Sequence, residues 1–323
     1  MAHVVFFLHG FQGRPREFNL MVRSFTERLG KRVVLHVLRS YHGHTHLSGA
    51  NAAQRVMEEM QTVVARTGCD RLSTVCHSYG GVVMAWALHL LDRAGGLASN
   101  LRLVNFIALA SPFAGIRGSA YGLKLGGVIK RFSAATREMC LEDAFNDDTS
   151  DAESRSPFLS RVAQPDVLSV LGRFDRRAVY ANLHGDLQVG YESAALVPCK
   201  PPHALVRSDD WPHISAESAH GGRDHTPGSA FGAGDESPWL RRDPKRELIL
   251  ELMRTYCTLG WERVDCCFGP AYLPSPLAHE QIIGKVLGGL LEDSRASDVV
   301  VHLISRFACG DGGEGGVAAV AIM

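Results

Sequence analysis

The sequence predicts an α/β fold in which a mostly parallel central sheet carries helices on both faces. Short apolar runs alternate along the chain with longer segments whose apolar residues recur at helical spacing, and the links are brief. Continuous apolar runs are typical of parallel strands buried on both faces. Because parallel strands need crossover connections, the intervening helices should cover the sheet.

The first 110 residues show this alternation most regularly. Apolar runs predict strands at 4–8, 33–38, 72–76 and 101–110, and helical spacing predicts helices at 15–29, 51–67 and 80–94. Gly30 directly follows the first helical segment, and glycine is common at that position after a helix. The order strand, helix, strand therefore predicts crossover units of a parallel sheet.

The pattern loosens after Ser111. Residues 113–160 are predicted to form a cap or lid over the strand ends. Further strands are predicted at 178–183, 261–268 and 298–304, and helices at 157–174 and 279–291. Residues 200–240 are rich in Pro, Gly, Ser, His and Asp, which indicates a polar surface insertion. We expect a single domain over 1–309, followed by a flexible tail over 310–323.

Charge and apolar content limit the classes of partner. The chain has 34 Lys and Arg against 34 Asp and Glu, so no net field favours nucleic acid, and no nucleic-acid partner is expected. No apolar run approaches the roughly 18 residues that span a bilayer. The first eight residues are too short and too poor in basic residues for a signal peptide, so we expect a cytoplasmic protein with reduced cysteines.

Residues 75–81, VCHSYGG, follow a predicted strand and open a predicted helix, which is the setting of a nucleophile elbow. The tight turn needs small residues on both sides of Ser78. Gly80 meets that need, while Cys76 stands where a glycine is usual. One alternative is an ordinary turn with Ser78 as a helix N-cap. Cys76 is a disfavoured alternative nucleophile, because its position points into the structure.

Residues 8–13, LHGFQG, follow the first predicted strand. An H-G-x-x-G loop lets backbone N–H groups face a carbonyl oxygen as it gains charge. We assign the two oxyanion-hole donors to the backbone amides of Phe11 and Tyr79. The alternative is a glycine-rich turn of the kind common in α/β proteins, but two matching loops after two separate strands are less expected by chance.

An acid and a base are expected after the nucleophile, in the order Ser, acid, His. Asp186 follows a late predicted strand and is the candidate acid, which would orient an imidazole and stabilise its charged form. Its rival Asp175 precedes that strand. His279 follows the last main strand and is the candidate general base, with His302 as its rival.

Together these motifs resemble the putative serine esterase family of α/β-hydrolases, which includes yeast-type monoacylglycerol lipases and lipid-droplet phospholipases. Residues 106–118 are similar to the family's stretch after its fourth strand, with Phe113 where the family usually has His. Residues 177–194 resemble the segment that carries the acid, and 278–279 resemble the His segment. Outside the polar insertion, the resemblance covers about residues 4–291.

The resemblance implies the α/β-hydrolase fold and the hydrolysis of carboxylic esters of lipid-like substrates by a triad. The expected partner is a lipid or another acyl ester, with peripheral contact to a membrane or lipid droplet as a further expectation. No metal and no organic cofactor are expected. The candidate residues are Ser78, Asp186 and His279 for catalysis and His9, Phe113 and Leu123 for substrate binding or the cap.

Two alternative functions remain open. One is a hydrolase-like protein that binds a lipid or a partner without turnover, for which Cys76 in the elbow is the main support. The other is an acyltransferase or thioesterase that uses the same triad. A probe of serine reactivity separates the first from an esterase, and product analysis with competing acceptors separates the second.

Three histidines alternate in the segment YHGHTH, at His42, His44 and His46. In an extended chain all three would face one way and could bind Zn²⁺. No carboxylate or thiolate lies nearby in the sequence to complete such a site. A polar loop at the strand edge, lining the substrate entrance, is the favoured interpretation.

Overall fold

The computed structural model describes residues 2–97, 101–124, 133–143, 156–198, 211–218, 236–268, 276–286, 291–292 and 297–308. The first third of the chain forms β1 (His3–Leu8), α1 (Asn19–Leu29), β2 (Val33–Val37), α2 (Gly49–Thr67), β3 (Arg71–His77), α3 (Gly80–Arg93) and β4 (Arg102–Leu109). A single 3₁₀ turn, Pro15–Phe18, precedes α1. These elements follow the predicted order, and their bounds shift by at most two residues except at α1, which begins four residues later than the predicted helix.

The remainder is less regular. It forms α4 (Ala120–Lys124), α5 (Ala134–Met139), α6 (Phe158–Val162), α7 (Pro165–Gly172), β5 (Arg176–Asn182), α8 (Tyr191–Ala195), β6 (Ile214–Ser218), α9 (Arg246–Cys257), β7 (Glu262–Cys266), α10 (Ala278–Gln281), β8 (Lys285–Val286), β9 (Leu291–Glu292) and α11 (Ser297–Ala308). Within the described ranges, no helix has both the length and the apolar character that crossing a bilayer requires.

Seven strands form the main sheet, in the order β2-β1-β3-β4-β5-β7-β6. All neighbours are parallel except β6, which runs antiparallel to β7 at the edge. Successive strands are added first on one side of β1 and then on the other, so the order reverses between β1 and β3. In open α/β sheets, ligands bind outside the carboxyl ends of the strands at such a reversal. The loops after β1 and β3 meet there.

The two faces of the sheet carry separate apolar cores, because side chains alternate along a strand. In β1, Val4 and Phe6 pack on the face covered by α2 and α3. Val5 and Phe7 pack on the opposite face, against α1 and α11. All four side chains are fully buried. The sheet is therefore covered on both faces, as predicted.

Two predicted elements near the C-terminus are wrong. The helix predicted at 279–291 ends at Gln281, since Gly284 adopts a left-handed φ of +78° and the chain then forms β8 and β9. The strand predicted at 298–304 is helix α11. Its buried apolar residues Val299, Val300, Leu303 and Ile304 recur at helical spacing rather than at alternate positions.

The region predicted as a polar insertion contains more order than the composition indicates. Residues 211–218 are described and supply the edge strand β6, which pairs with β7.

Helix α9 lies beyond the predicted insertion and is absent from the predicted elements, although its apolar residues recur at helical spacing and are buried. Residues 199–210, 219–235 and the predicted tail lie outside the described residues. Of the residues 113–160 that are predicted to form a cap, the structure describes 113–124, 133–143 and 156–160.

Candidate active site

Ser78 occupies the turn between β3 and α3 with a left-handed φ of +54°. For a residue with a β-carbon, this conformation costs about 1–3 kcal/mol and persists only where the surroundings impose it. Here the Ser78 amide donates to the Leu109 carbonyl at 2.8 Å, and the Gly81 amide donates to the Ser78 carbonyl at 3.0 Å. The turn therefore has the strained geometry of a nucleophile elbow, in which the hydroxyl projects from the strand–helix corner.

Gly80 allows the elbow to lie against the loop after β1. A β-carbon at residue 80 would come within 2.6 Å of the carbonyl oxygens of both Leu8 and His9. Real β-carbons are not found that close to backbone oxygens, so a side chain at residue 80 would force the loop after β1 to move. The close approach of the two loops thus explains why the sequence has glycine two residues after Ser78.

Cys76 departs from the usual glycine of the elbow motif without crowding the turn. Its side chain is fully buried in the apolar core on the α2–α3 face. Burial raises the pKa of the thiol. A thiol kept protonated in the core is a poor nucleophile, because the thiolate is the reactive form.

The loop after β1 holds its shape through Gln12 and Thr45. Gln12 has a left-handed φ of +57°, and its amide donates to Thr45 Oγ1 at 3.1 Å. In the described part of the chain, the amides of Phe11 and Tyr79 donate to no backbone or side-chain acceptor. Two free N–H groups on the two loops beside Ser78 are what an oxyanion hole requires.

Asp186 and His279 form a buried pair. Asp186 Oδ2 lies 2.9 Å from His279 Nδ1, and the two side chains are 3% and 5% exposed. The other carboxylate oxygen accepts hydrogen bonds from the amides of Gln188 and Val189. Burial opposes ionisation, but the charge and hydrogen bond of His279 and the other donors outweigh it and hold the pKa of Asp186 below its usual value. The acid is therefore ionised at neutral pH.

The pairing also fixes the tautomer of His279. A carboxylate only accepts hydrogen bonds, so Nδ1 carries the hydrogen and Nε2 is left as the proton acceptor. Among the described contacts, Ser78 Oγ makes no direct hydrogen bond to His279. In the absence of substrate such bonds are often long and tighten only in the reacting complex. The residue before Ser78 does touch the His279 segment: His77 Nε2 donates to the His279 carbonyl at 2.8 Å.

His77 and Asn182 are site residues that the motif reasoning missed. Asn182 Nδ2 donates both to Asp186 Oδ2 at 2.9 Å and to the Ala278 carbonyl at 3.1 Å. His77 and Asn182 are the last residues of β3 and β5, and both are buried. The sequence signal that could have identified them is a polar residue at the end of an apolar strand, because a buried polar side chain requires a hydrogen-bond partner.

The rival acid and base lie elsewhere. Asp175 precedes β5 and forms an ion pair with Arg102 at 2.7 Å, at the amino end of the parallel strands. His302 lies on α11, where its Nδ1 is 3.0 Å from the Tyr180 hydroxyl. Asp186 and His279 instead pair with each other, and the residue before Ser78 donates to the His279 carbonyl, so the geometry favours Asp186 and His279.

His9 and Phe113 expose no side-chain surface. His9 Nδ1 donates to the Gly10 carbonyl at 3.0 Å, its ring stacks on Tyr41, and burial lowers its pKa to about 4. Phe113 packs against the rings of Tyr256 and Trp261. Neither side chain is therefore placed for direct contact with substrate. The third candidate, Leu123, belongs to α4, and its side chain lies outside the described residues.

The histidine-rich segment lies over the loop after β1. His42 contacts the ring of His9, and the ring of His46 lies 4.9 Å from that of Phe11 in an edge-on arrangement. Within the described ranges, no group of three His, Cys, Asp or Glu side chains is placed to hold a metal ion. The segment thus contributes to the wall around the candidate oxyanion loop.

A cavity of about 250 Å³ lies beside the candidate acid. Its lining comprises residues 118–120, 182–187, 190–192 and Trp239, which include Asp186 but not Ser78. This volume is slightly below the usual range of about 300–1,000 Å³ for small-molecule sites. The cavity therefore borders the candidate acid without reaching Ser78.

Tyr79 connects the elbow to the predicted cap. Its buried hydroxyl donates to Glu138 on α5, and Glu138 also accepts the amide of Gly49 at the start of α2. Burial raises the pKa of Glu138 to about 7, although both hydrogen bonds act in the opposite direction. The residue that supplies one candidate oxyanion donor is thus held from its side chain by a carboxyl group of α5, in the segment predicted to form a cap.

Comparison with known proteins gives relatives at low identity. The chain is 27% identical over 195 residues to Putative lipase YDR444W of Saccharomyces cerevisiae, covering 55% of this chain and 27% of the relative. It is 29% identical over 154 residues to Putative lipase ROG1 of the same yeast, covering 46% and 20%. The chain thus matches only a fifth to about a quarter of the length of these two relatives.

Solved structures are more distant. Phospholipase PlaB from Legionella pneumophila has 15% identity and a TM-score of 0.39, covering 58% of this chain and 40% of that chain. The gene lin2722 product of Listeria innocua has 12% identity and the same TM-score, covering 60% and 77%. At TM-scores below 0.5 we infer neither fold nor function from these two structures.

A family model matches residues 1–201, well over half of the chain, and its description is Putative serine esterase. That range contains Ser78 and Asp186 and ends before His279. The mostly parallel seven-stranded sheet, with its strained serine turn at the point where the strand order reverses, has the predicted α/β-hydrolase architecture. On the family match and this architecture, the chain belongs to the putative serine esterase family of α/β-hydrolases.

Proposed function

We propose that the protein is a serine hydrolase that cleaves carboxylic esters of lipid-like substrates. The observation that carries the proposal is the ionised Asp186 bound to His279, whose carbonyl accepts a hydrogen bond from the residue before Ser78 at its strained strand–helix turn. Family membership supports ester hydrolysis, and the lipase names of the yeast relatives support a lipid-like acyl or alcohol group.

The reaction follows from the role that each group can take. Ser78 Oγ attacks the ester carbonyl while His279 Nε2 accepts its proton, and Asp186 stabilises the resulting imidazolium. The Phe11 and Tyr79 amides bind the oxyanion. The proton then passes from His279 to the leaving alcohol, an acyl-enzyme forms on Ser78, and water activated by His279 hydrolyses it.

The first test is turnover of a p-nitrophenyl ester series from acetate to palmitate by the wild type and by Ser78→Ala. We expect the variant to lose at least about 1,000-fold in kcat, in line with the removal of a nucleophile from a triad. Ser73→Ala, a buried serine near the amino end of β3, serves as the control and should keep its rate. Equal turnover by wild type and Ser78→Ala would refute the proposal.

A fluorophosphonate probe provides a second, substrate-independent test. Only a serine activated by a base reacts with it, so labelling of the wild type but not of Ser78→Ala supports an active hydrolase. A folded wild type that is not labelled would favour the alternative of a binding protein without turnover. Added alcohol or thiol acceptors, followed by product analysis, would reveal acyl transfer.

A further inference from the structure

His279 lies on a helix that is too short to hold itself in place. Helix α10 spans only Ala278–Gln281, and a single turn is marginal without outside contacts. The carbonyl groups at a helix end lack intrahelical partners. Here the Ile283 amide donates to the Glu280 carbonyl rather than to that of His279, so the His279 carbonyl is left for a donor from elsewhere.

Two buried side chains donate to consecutive carbonyls of this segment. His77 Nε2 lies 2.8 Å from the His279 carbonyl oxygen, and Asn182 Nδ2 lies 3.1 Å from that of Ala278. His77 ends β3 and Asn182 ends β5, two interior strands of the sheet. The donors therefore belong to hydrogen-bonded interior strands, whereas the acceptors belong to a single helical turn.

We propose that His77 and Asn182 are positioning residues that hold the backbone of the His279 segment and thereby orient its imidazole toward Ser78. This inference rests on the proposed function, in which His279 is the general base. Neither residue reaches the reacting atoms in this scheme. Both act through the placement of His279.

The protonation state of His77 suits this role. A carbonyl oxygen only accepts, so the hydrogen of His77 is on Nε2. Burial, and then the nearby His279 and Lys285, hold the pKa of His77 well below its usual value, so the ring stays neutral. The His77 and His279 rings are 4.7 Å apart. A charged His77 at that distance would oppose protonation of His279 during the reaction, whereas a neutral donor does not.

Asn182 links the acid to the base segment through one amide group. Its two hydrogens go to Asp186 Oδ2 and to the Ala278 carbonyl. Because both bonds leave the same nitrogen, the carboxylate and the backbone before His279 keep a fixed separation. An aspartate at this position would have no hydrogen to donate to either acceptor.

The test compares side chains that differ in reach. In His77→Gln the amide nitrogen takes nearly the place of Nε2, whereas in His77→Asn it falls short of the His279 carbonyl. We expect His77→Asn and Asn182→Leu to lose about 10- to 100-fold in kcat with little change in KM, as for a misplaced catalytic group. His77→Gln should recover most of the rate. His3→Leu, which removes a buried histidine bonded to Ser73 at the opposite end of β1, is the control and should keep kcat.

Thermal melting checks that each variant is folded, and the Gln and Asn variants keep the test valid if an apolar replacement does not fold. If folded His77→Asn and Asn182→Leu keep kcat within about two-fold of wild type, the positioning role is overturned. This outcome differs from failure of the proposed function. In that case Ser78→Ala itself would retain activity, whatever the behaviour of these two positions.

Discussion

The side chain of Ser78 lies directly against the backbone of Gly10: a β-carbon added at residue 10 would come within 2.5 Å of Ser78 Cβ and 3.1 Å of Ser78 Oγ. Gly10→Ala must therefore push the loop after β1 away from the elbow. We expect kcat to fall by about 100-fold or more, because the oxyanion donors and the nucleophile are displaced together. The measurement is steady-state hydrolysis of a p-nitrophenyl ester.

Gly172→Ala is the matched control for this change. A β-carbon at residue 172 would meet its nearest neighbour at an ordinary 3.7 Å. Its activity should equal that of wild type. A folded Gly10→Ala protein with wild-type kcat would show that the two loops do not cooperate in the reaction.

Thr45 is predicted to preserve the left-handed turn at Gln12. Thr45→Val keeps the shape but removes the oxygen that accepts the Gln12 amide, leaving a donor unpartnered. We expect kcat to drop by about 10-fold as the Phe11 amide loses its orientation. Thr45→Ser retains the oxygen and should restore the rate. Equal kcat in the Val and Ser variants would contradict this role.

Asp186→Asn tests the assignment of the acid. The amide can still fit between its partners, but it no longer favours the tautomer with hydrogen on Nδ1 or stabilises the imidazolium. We expect a loss of about 1,000- to 10,000-fold in kcat at pH 7, as for other triads. Asp175→Asn removes the rival carboxylate, which is paired with Arg102, and should leave kcat unchanged. The reverse pattern would assign the acid to residue 175.

Glu138 is predicted to make stability depend on pH. Burial raises its folded pKa from 4.5 to about 7, so the folded state holds the proton more tightly than the unfolded state does. Protonated Glu138 makes its full contribution to the free energy of unfolding below about pH 4.5, and that contribution is lost as pH rises through about 7. A shift of this size corresponds to about 3 kcal/mol. Urea unfolding should show that wild type loses stability relative to Glu138→Gln between pH 4.5 and pH 8.

The comparison with Glu138→Gln isolates this group, because every other titrating residue is common to both proteins. His9, for example, has a pKa lowered to about 4 by burial, so its contribution is lost as pH falls instead. A constant difference in unfolding free energy between the two proteins across this range would show that Glu138 titrates normally.

Cys76→Ala distinguishes the two candidate nucleophiles. Because burial raises the pKa of the Cys76 thiol, the residue is unreactive in the folded protein, and its loss should leave labelling by a fluorophosphonate unchanged. We expect lower stability from the small cavity created in the core, with kcat near the wild-type value. An inactive but folded Cys76→Ala protein would indicate that the thiol takes part.

The first half of the fold could be predicted because its signals are local. Apolar strands such as β1 and β3 are continuous, and the glycines after them mark where the backbone turns sharply. The strand predicted at 298–304 is wrong because four apolar residues in a short window satisfy both the strand and the helix period. The helix predicted at 279–291 is too long because apolar spacing alone does not reveal that Gly284, shortly after α10, adopts a left-handed φ.

The sequence by itself determined the order of strands and helices over the first 110 residues, the serine turn with its small neighbours, and the chain order of the candidate acid and base. These features depend on backbone sterics and on the spacing of apolar residues, and both can be read within a few neighbouring residues. Only the tertiary structure decided that Asp186 meets His279 across 93 residues, and that His77 and Asn182 bind the backbone beside it. The ends of parallel strands distant in sequence come together at one edge of the sheet, and no local pattern records which side chains meet there.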